Sequence, residues 1–217
     1  LEYDKDALNK LIKGLTAMQP SHMRSPENAS VSYDEESNMF EVIAEDVGTK
    51  LDTEKAKSSI LNAIDNLKPS VELDAKHCYI APEITQSDEK VITACDNINN
   101  YLDEEITYEF GDDRLVVDAS LLSKWLYVTK DYEIKLHKKM VTQFVADMSD
   151  TYDTYGKTRK FTTTAGDTIS LWSGDYGWWM NEEKEVKDLM KVIMAGESVV
   201  KKPVYRQEAV QYGSDDV

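Results

Sequence analysis

The sequence predicts an α+β protein built from two related units, each with helices packed on a small antiparallel sheet. Three observations carry this. Short runs of β-branched and aromatic residues recur around Gly and Asp turns, the pattern of hairpins. Segments with apolar residues at helical spacing lie between them. Features of the first half also reappear in the second at a fixed separation in sequence.

In chain order, residues 6–18 carry Ala7, Leu8, Leu11, Ile12 and Leu15 as one helical stripe, and residues 19–30, with two prolines, form a loop. A hairpin is expected from 31–33 and 40–44 around a polar turn at 34–38. Asp52 then caps a helix whose inner face holds Ala56, Ile60, Ala63, Ile64 and Leu67. Residues 71–73 and 78–80 read as short strands, and 87–102 as a helix with Val91, Cys95, Ile98 and Leu102 on one side. A second hairpin spans 106–117, and Asp118 opens a short helix bearing Leu122, Trp125 and Leu126. Residues 132–136 alternate as a strand, and a helix from Lys138 carries Met140, Val141, Phe144, Val145 and Met148.

The richest stretch follows at 161–183. It reads as strand, Ala165-Gly166-Asp167 turn, strand, Gly174-Asp175-Tyr176-Gly177 corner and helix start, and it holds three of the four tryptophans. Asn181 suits an N-cap, and Glu182, Glu183 and Glu185 suit the positive end of the helix dipole. Val186, Leu189, Met190 and Ile193 form the stripe of that helix, Gly196 ends it, and 199–205 is extended.

The repeat is countable. Asp46, Gly48, Leu51, Asp52 and Glu54 align with Asp175, Gly177, Met180, Asn181 and Glu183 at an offset of 129, and the preceding helices align at 133. The four-residue difference places a shorter loop before the second hairpin, where insertions and deletions are tolerated. The expected units are 1–103 and 104–217. Gly48 and Gly177 stand where a strand swings into a helix, a place for positive φ, so the repeated residues serve folding first.

Composition excludes several functions. A net charge of −16 over 217 residues argues against nucleic acid and against anionic membrane surfaces, which need Lys and Arg patches. No apolar run reaches the length of a membrane span, and the start has no signal-peptide pattern. Cys78 and Cys95 define neither a disulfide framework nor a metal site. His22, His77 and His137 are scattered, without ligand spacing, so no metal is expected. No phosphate-cradling glycine loop and no G-x-S-x-G occurs, so no cofactor and no catalytic residue is expected.

The segments D-T-Y-G-K-T-R-K-F (153–161), G-D-Y-G-W (174–178) and K-P-V-Y (202–205), in that order, resemble the peptidoglycan-binding domain found upstream of the catalytic domain in L,D-transpeptidases of Gram-positive bacteria. Residues 106–126 look like that domain's opening, so the resemblance covers about 104–210 and reaches the first half through the repeat. It implies a non-catalytic, extracellular, wall-facing module with peptidoglycan as partner, in a parent chain anchored to the membrane and carrying a catalytic domain elsewhere. That catalytic domain has a cysteine in a pattern close to S-H-G-C-x-R; neither Cys78 nor Cys95 stands in such a context, so no catalytic residue carries over.

The candidate binding residues are Trp172, Tyr176, Trp178, Trp179 and Tyr205, whose rings offer flat amphipathic area to sugars or stem peptides. The competing reading places most of them, Trp172 and Trp178 above all, in the core of the second unit, with Trp179 facing the other way. Binding that vanished with salt would point instead to a local basic patch at Lys157, Arg159 and Lys160. The alternative function is a structural spacer or protein-interaction stalk without glycan affinity. At −16 the chain gains no long-range attraction to an anionic wall, so any affinity rests on aromatic and hydrogen-bond contacts.

Overall fold

A computed structural model describes residues 3–171 and 174–209, with side chains except for Phe161 and Leu171. The chain divides into two compact units. One runs up to Val31 and resumes over Val42–Thr93; the other takes Ser32–Glu41 and the chain from Ala94 onward. This division is discontinuous, unlike a single cut between 103 and 104. Its physical basis lies in the helix Glu89–Asn100: the Asn99 side chain accepts from the backbone N–H of Phe40 and donates to the Phe40 carbonyl, both at 2.8 Å, and the Cys95 thiol donates to the same carbonyl at 3.1 Å. The far end of the first hairpin is thereby tied to residues of the second unit.

In the first unit, α1 (Lys5–Lys13) is capped by Asp4 and stops at Gly14, short of the expected Met18. Glycine in a helix interior costs about 1 kcal/mol relative to alanine, and the chain continues instead as 3-10 turns at Thr16–Met18 and Pro20–His22. Ile12 is buried while Leu11 is exposed, so the inner stripe is narrower than the periodicity suggests. Strands β1 (Ser30–Asp34) and β2 (Met39–Ile43), whose Ser32–Glu41 portion belongs to the second unit, pair across a turn in which the Asp34 carboxylate accepts from Ser37 N–H. Helix α2 (Thr53–Asp65) begins on Asp52, whose carboxylate accepts from Lys55 N–H. Ile12, Met18, Leu51, Ala56 and Cys78 form the core here, with Leu8 and Ile60 against it. Residues 71–73 are not a strand. The chain folds on itself as a turn, with Cys78 N–H bonding to Leu73 O, and His77 takes φ 51°. Of the expected pair of strands, Tyr79 alone makes a β-bridge, to Leu51.

Helix α3 (Glu89–Asn100) enters the second unit at Ala94, and there β3 (Ile106–Phe110) and β4 (Asp113–Val117) form the expected hairpin. β10 (Val199–Lys201) joins the other edge of β3 in parallel, so this three-stranded sheet is mixed. Helix α4 (Ala119–Trp125) starts on Asp118; Leu126, expected on that helix, instead opens β5 (Leu126–Val128), which pairs with β6 (Ile134–Leu136). Helix α5 (Lys138–Tyr152) packs on α6 (Glu182–Ala195), burying Val141, Val145 and Met148 with Val186, Leu189 and Ile193. β7 (Arg159–Thr162) and β8 (Thr168–Leu171) make the hairpin of the long aromatic stretch, and β9 (Trp179–Met180) pairs with β11 (Tyr205–Gln207).

The two units repeat one plan. α1 and α5 start at Lys5 and Lys138, 133 residues apart; β1 and β7, β2 and β8, and α2 and α6 all start 129 apart. Each copy also closes its corner in one way. Leu51 bridges Tyr79 while Asp52 N–H donates to Cys78 O at 2.8 Å. Met180 pairs with Tyr205 while Asn181 N–H donates to Val204 O at 2.7 Å. This third correspondence, between 78–79 and 204–205, has an offset of 126 that the sequence alone does not reveal.

Candidate ligand-binding corner

The corner between β8 and α6 is held by the segment that follows α5. Thr154 N–H and Tyr155 N–H both donate to Trp178 O at 3.0 Å, and Trp178 N–H donates to Thr154 Oγ1 at 2.9 Å. Gly177 makes this approach possible: it has φ 128°, and a β-carbon there would meet Thr154 C and O and Tyr155 N at 2.6 Å. Gly48 has the same role in the first unit, at φ 62° and pressed on the backbone of residues 24–26. Two residues beyond Trp178, Met180 N–H donates to both carboxylate oxygens of Asp153 (2.9 and 3.1 Å), and burial pushes the Asp153 carboxyl above its ordinary pKa. Gln207 Nε2 donates to Asp175 O and Gly177 O, binding β11 to the same corner.

This frame divides the five candidate rings. Trp178 is 7% exposed and lies in the core, edge-on to half-buried Tyr205 with centroids 4.8 Å apart. Trp179, next in sequence, points the other way along the strand and is 38% exposed. Tyr176 is also exposed, with the Arg159 guanidinium 5.2 Å from its ring centre. Trp172 lies outside the described residues. Arg159 does not form an exposed basic group with Lys157 and Lys160. It is buried, and its guanidinium donates to the carbonyls of Thr154 (3.0 Å) and Tyr176 (3.2 Å), so its donors serve the corner itself.

Two residues of this surface are missed by the sequence reading. The exposed ring of Tyr155 stacks on Trp179 with centroids 4.9 Å apart and planes 18° off parallel. The exposed Arg206 carries its guanidinium 5.0 Å from the Trp179 ring centre. Both stand inside or beside the segments that carry the family resemblance: Tyr155 within 153–161, Arg206 directly after 202–205. The available signal was that position alone, because nothing in the local pattern says that three separated segments meet at Trp179.

Cys78 and Cys95 are both free and buried; Cys78 Sγ lies 3.4 Å from Ser59 Oγ, and burial pushes the Cys95 thiol pKa up, which disfavours the thiolate a nucleophile needs. Among the described residues no group of three His, Cys, Asp or Glu could hold a metal ion, and no helix is long and apolar enough to cross a membrane. Glu185, read from the sequence as one of three acids suited to the positive end of the α6 dipole, is fully buried. It accepts from the Tyr108 hydroxyl, from Lys201 Nζ at 2.8 Å and from Val204 N–H at 2.6 Å. Through Val204 this network fixes the backbone immediately before Tyr205 and Arg206.

Comparison with known proteins places this geometry in context. The family described as "Putative peptidoglycan binding domain" matches residues 1–72 and again 84–201. The chain is similar to the structure of the Ldtfm–avibactam carbamoyl enzyme, at 21% identity and a TM-score of 0.46, over 58% of this chain and 48% of that one. It is also similar to the crystal structure of a cysteine-to-serine mutant of Enterococcus faecium L,D-transpeptidase, at 22% identity and a TM-score of 0.46, over 57% of this chain and 48% of that one. The chain thus spans about half the length of those proteins. No curated protein matches it.

Proposed function

Because the chain belongs to the peptidoglycan-binding domain family, we infer that it is a non-catalytic, wall-facing module that binds peptidoglycan through the corner of its second unit and positions the catalytic domain of an L,D-transpeptidase. It would act on the extracellular, cell-wall side of the membrane in a Gram-positive bacterium, in a parent chain anchored to that membrane. Two family matches support a tandem arrangement, for which 1–103 and 104–217 are the proposed units.

The observation that carries the binding site is the exposed Tyr155–Trp179 stack on a backbone held by hydrogen bonds from three segments. A large aromatic surface kept in solvent on a rigid frame offers binding area at little cost in conformational freedom. Tyr176 lies on the same corner, whereas Trp178 and Tyr205 support it from the core side. The chemistry required is adhesion, with no bond made or broken.

The spacer reading draws on the burial of Trp178, since part of the aromatic group serves packing. Co-sedimentation with purified sacculi, run beside thermal melts, separates the two. Trp179→Ala should reduce the bound fraction several-fold while costing about 1 kcal/mol or less of stability, the scale of an exposed aromatic pair. Trp178→Ala should cost about 3–5 kcal/mol, as for a buried large aromatic. Wild-type protein that stays in the supernatant would favour the spacer.

A further inference from the structure

The corner carries a cation as well as rings, and the cation tells which part of the wall polymer it suits. Arg206 is exposed, and among the described residues no carboxylate lies within ion-pair distance of it, in a chain of net charge −16. Glu183, in the first turn of α6, is already paired with Lys187 at 2.7 Å. A guanidinium over an aromatic ring keeps its in-plane N–H fork available, and that fork matches a carboxylate bidentately.

The first unit supplies an internal control. By the shared corner geometry, Lys50 stands where Trp179 does, with Ile80 N–H bonded to Lys50 O at 2.8 Å. Opposite Trp179 the strand shifts register after Tyr205 and pairs Gln207, so Arg206 is an inserted residue that the first unit lacks. Tyr155 has its counterpart in the residues 24–26 that pack on Gly48, none of them aromatic. The corner therefore folds without a tryptophan where Trp179 stands, an aromatic ring where Tyr155 stands or a residue matching Arg206. The stack is an addition to the motif, absent from its twin.

We propose that Tyr155, Trp179 and Arg206 form a site for a peptide bearing a free carboxylate, the Arg206 fork taking the carboxylate and the Trp179–Tyr155 rings the adjoining apolar part of the peptide. Resting on the peptidoglycan-binding reading, this names the stem peptide, rather than the sugar chain, as the portion bound at this corner. The first unit, with Lys50 and Ile80, has no such site.

The test uses the whole chain and four soluble probes in calorimetric or NMR titrations: a stem tetrapeptide with a free C-terminal carboxylate, the same peptide as its C-terminal amide, a peptide-free N-acetylated glycan oligomer, and a glycerol-phosphate oligomer. The free acid should bind about ten- to a hundredfold more tightly than the amide, the scale of a charge-assisted hydrogen bond. Arg206→Gln should erase that difference with the melting temperature unchanged, and Arg206→Lys should restore it only in part. Equal binding of acid and amide, or a preference for the phosphate oligomer, overturns the proposal. Binding of the glycan alone overturns it too but leaves the peptidoglycan reading intact; sacculi that do not bind the wild type remove both.

Discussion

Gly177 rests against the backbone of Thr154 so closely that a β-carbon on it would lie 2.6 Å from the Thr154 carbonyl carbon and oxygen. This contact joins the end of α5 to the start of α6 and sets the plane from which Trp179 projects. Gly177→Ala must move backbone, not a flexible side chain, and must hold an alanine at φ 128°. The expected loss is at least about 2 kcal/mol, from strained backbone and overpacking together. Gly166→Ala, also at positive φ but with nothing within 4 Å, isolates the conformational part. Chemical denaturation of both variants measures the difference; equal losses would mean that the close approach to Thr154 does not constrain the corner.

Acid should loosen α4 before the corner. Hydrogen bonds from Ser120 hold the Asp118 carboxylate below its ordinary pKa. A depressed folded pKa gives stability that is present above the unfolded value, about 3.9, and lost as pH falls through the folded one. Asp153 has the opposite sign: burial raises its pKa, so its contribution is full below the unfolded value and declines as pH rises through the folded one. Asp118→Asn, which keeps an acceptor for the helix start, should flatten the acid limb of a melting-temperature profile below about pH 4. An acid limb as steep as that of the wild type would show that Asp118 is not its source.

The Glu185–Lys201 pair should be costly to break from one side. Glu185 is completely buried and Lys201 nearly so, with Asp188 as a second partner of the lysine. Lys201→Met leaves a buried carboxylate without its cation and should cost about 3–5 kcal/mol. Glu185→Gln in the same chain should recover part of that loss, since a neutral amide is cheaper to bury than an orphaned charge. A double-mutant cycle checks this; additive losses would mean that the two side chains act independently.

Much of this fold is legible in the sequence because its punctuation is local. Asp52, Asp118 and Asn181 cap the helices they precede, and Gly177 turns the chain where the pattern requires. The offsets of 129 and 133 recur in the positions where helices and hairpins begin. What is not legible depends on pairing at a distance. The parallel addition of β10 to β3 joins segments more than ninety residues apart and leaves no local trace. Glu185 reads as one more acid in a helix's first turn, and only Tyr108, Lys201 and Val204, brought in from other elements, make its burial tolerable. The candidate site was half legible for the same reason. The opposite facing of adjacent side chains at the start of β9 distinguishes Trp178 from Trp179, but it cannot announce that Tyr155 and Arg206 close on the outer ring.

The most direct measurement of the central claim follows the indole N–H resonances while a soluble peptidoglycan fragment is titrated into the protein. Trp179 lies on the exposed corner, whereas Trp125 is buried in the same unit and serves as the internal reference. Saturable movement of the Trp179 signal with Trp125 unmoved, and its loss in Gly177→Ala, is the predicted result. A fragment that binds without moving Trp179, or that shifts neither signal at saturating concentration, would contradict the assignment of this corner as the binding face.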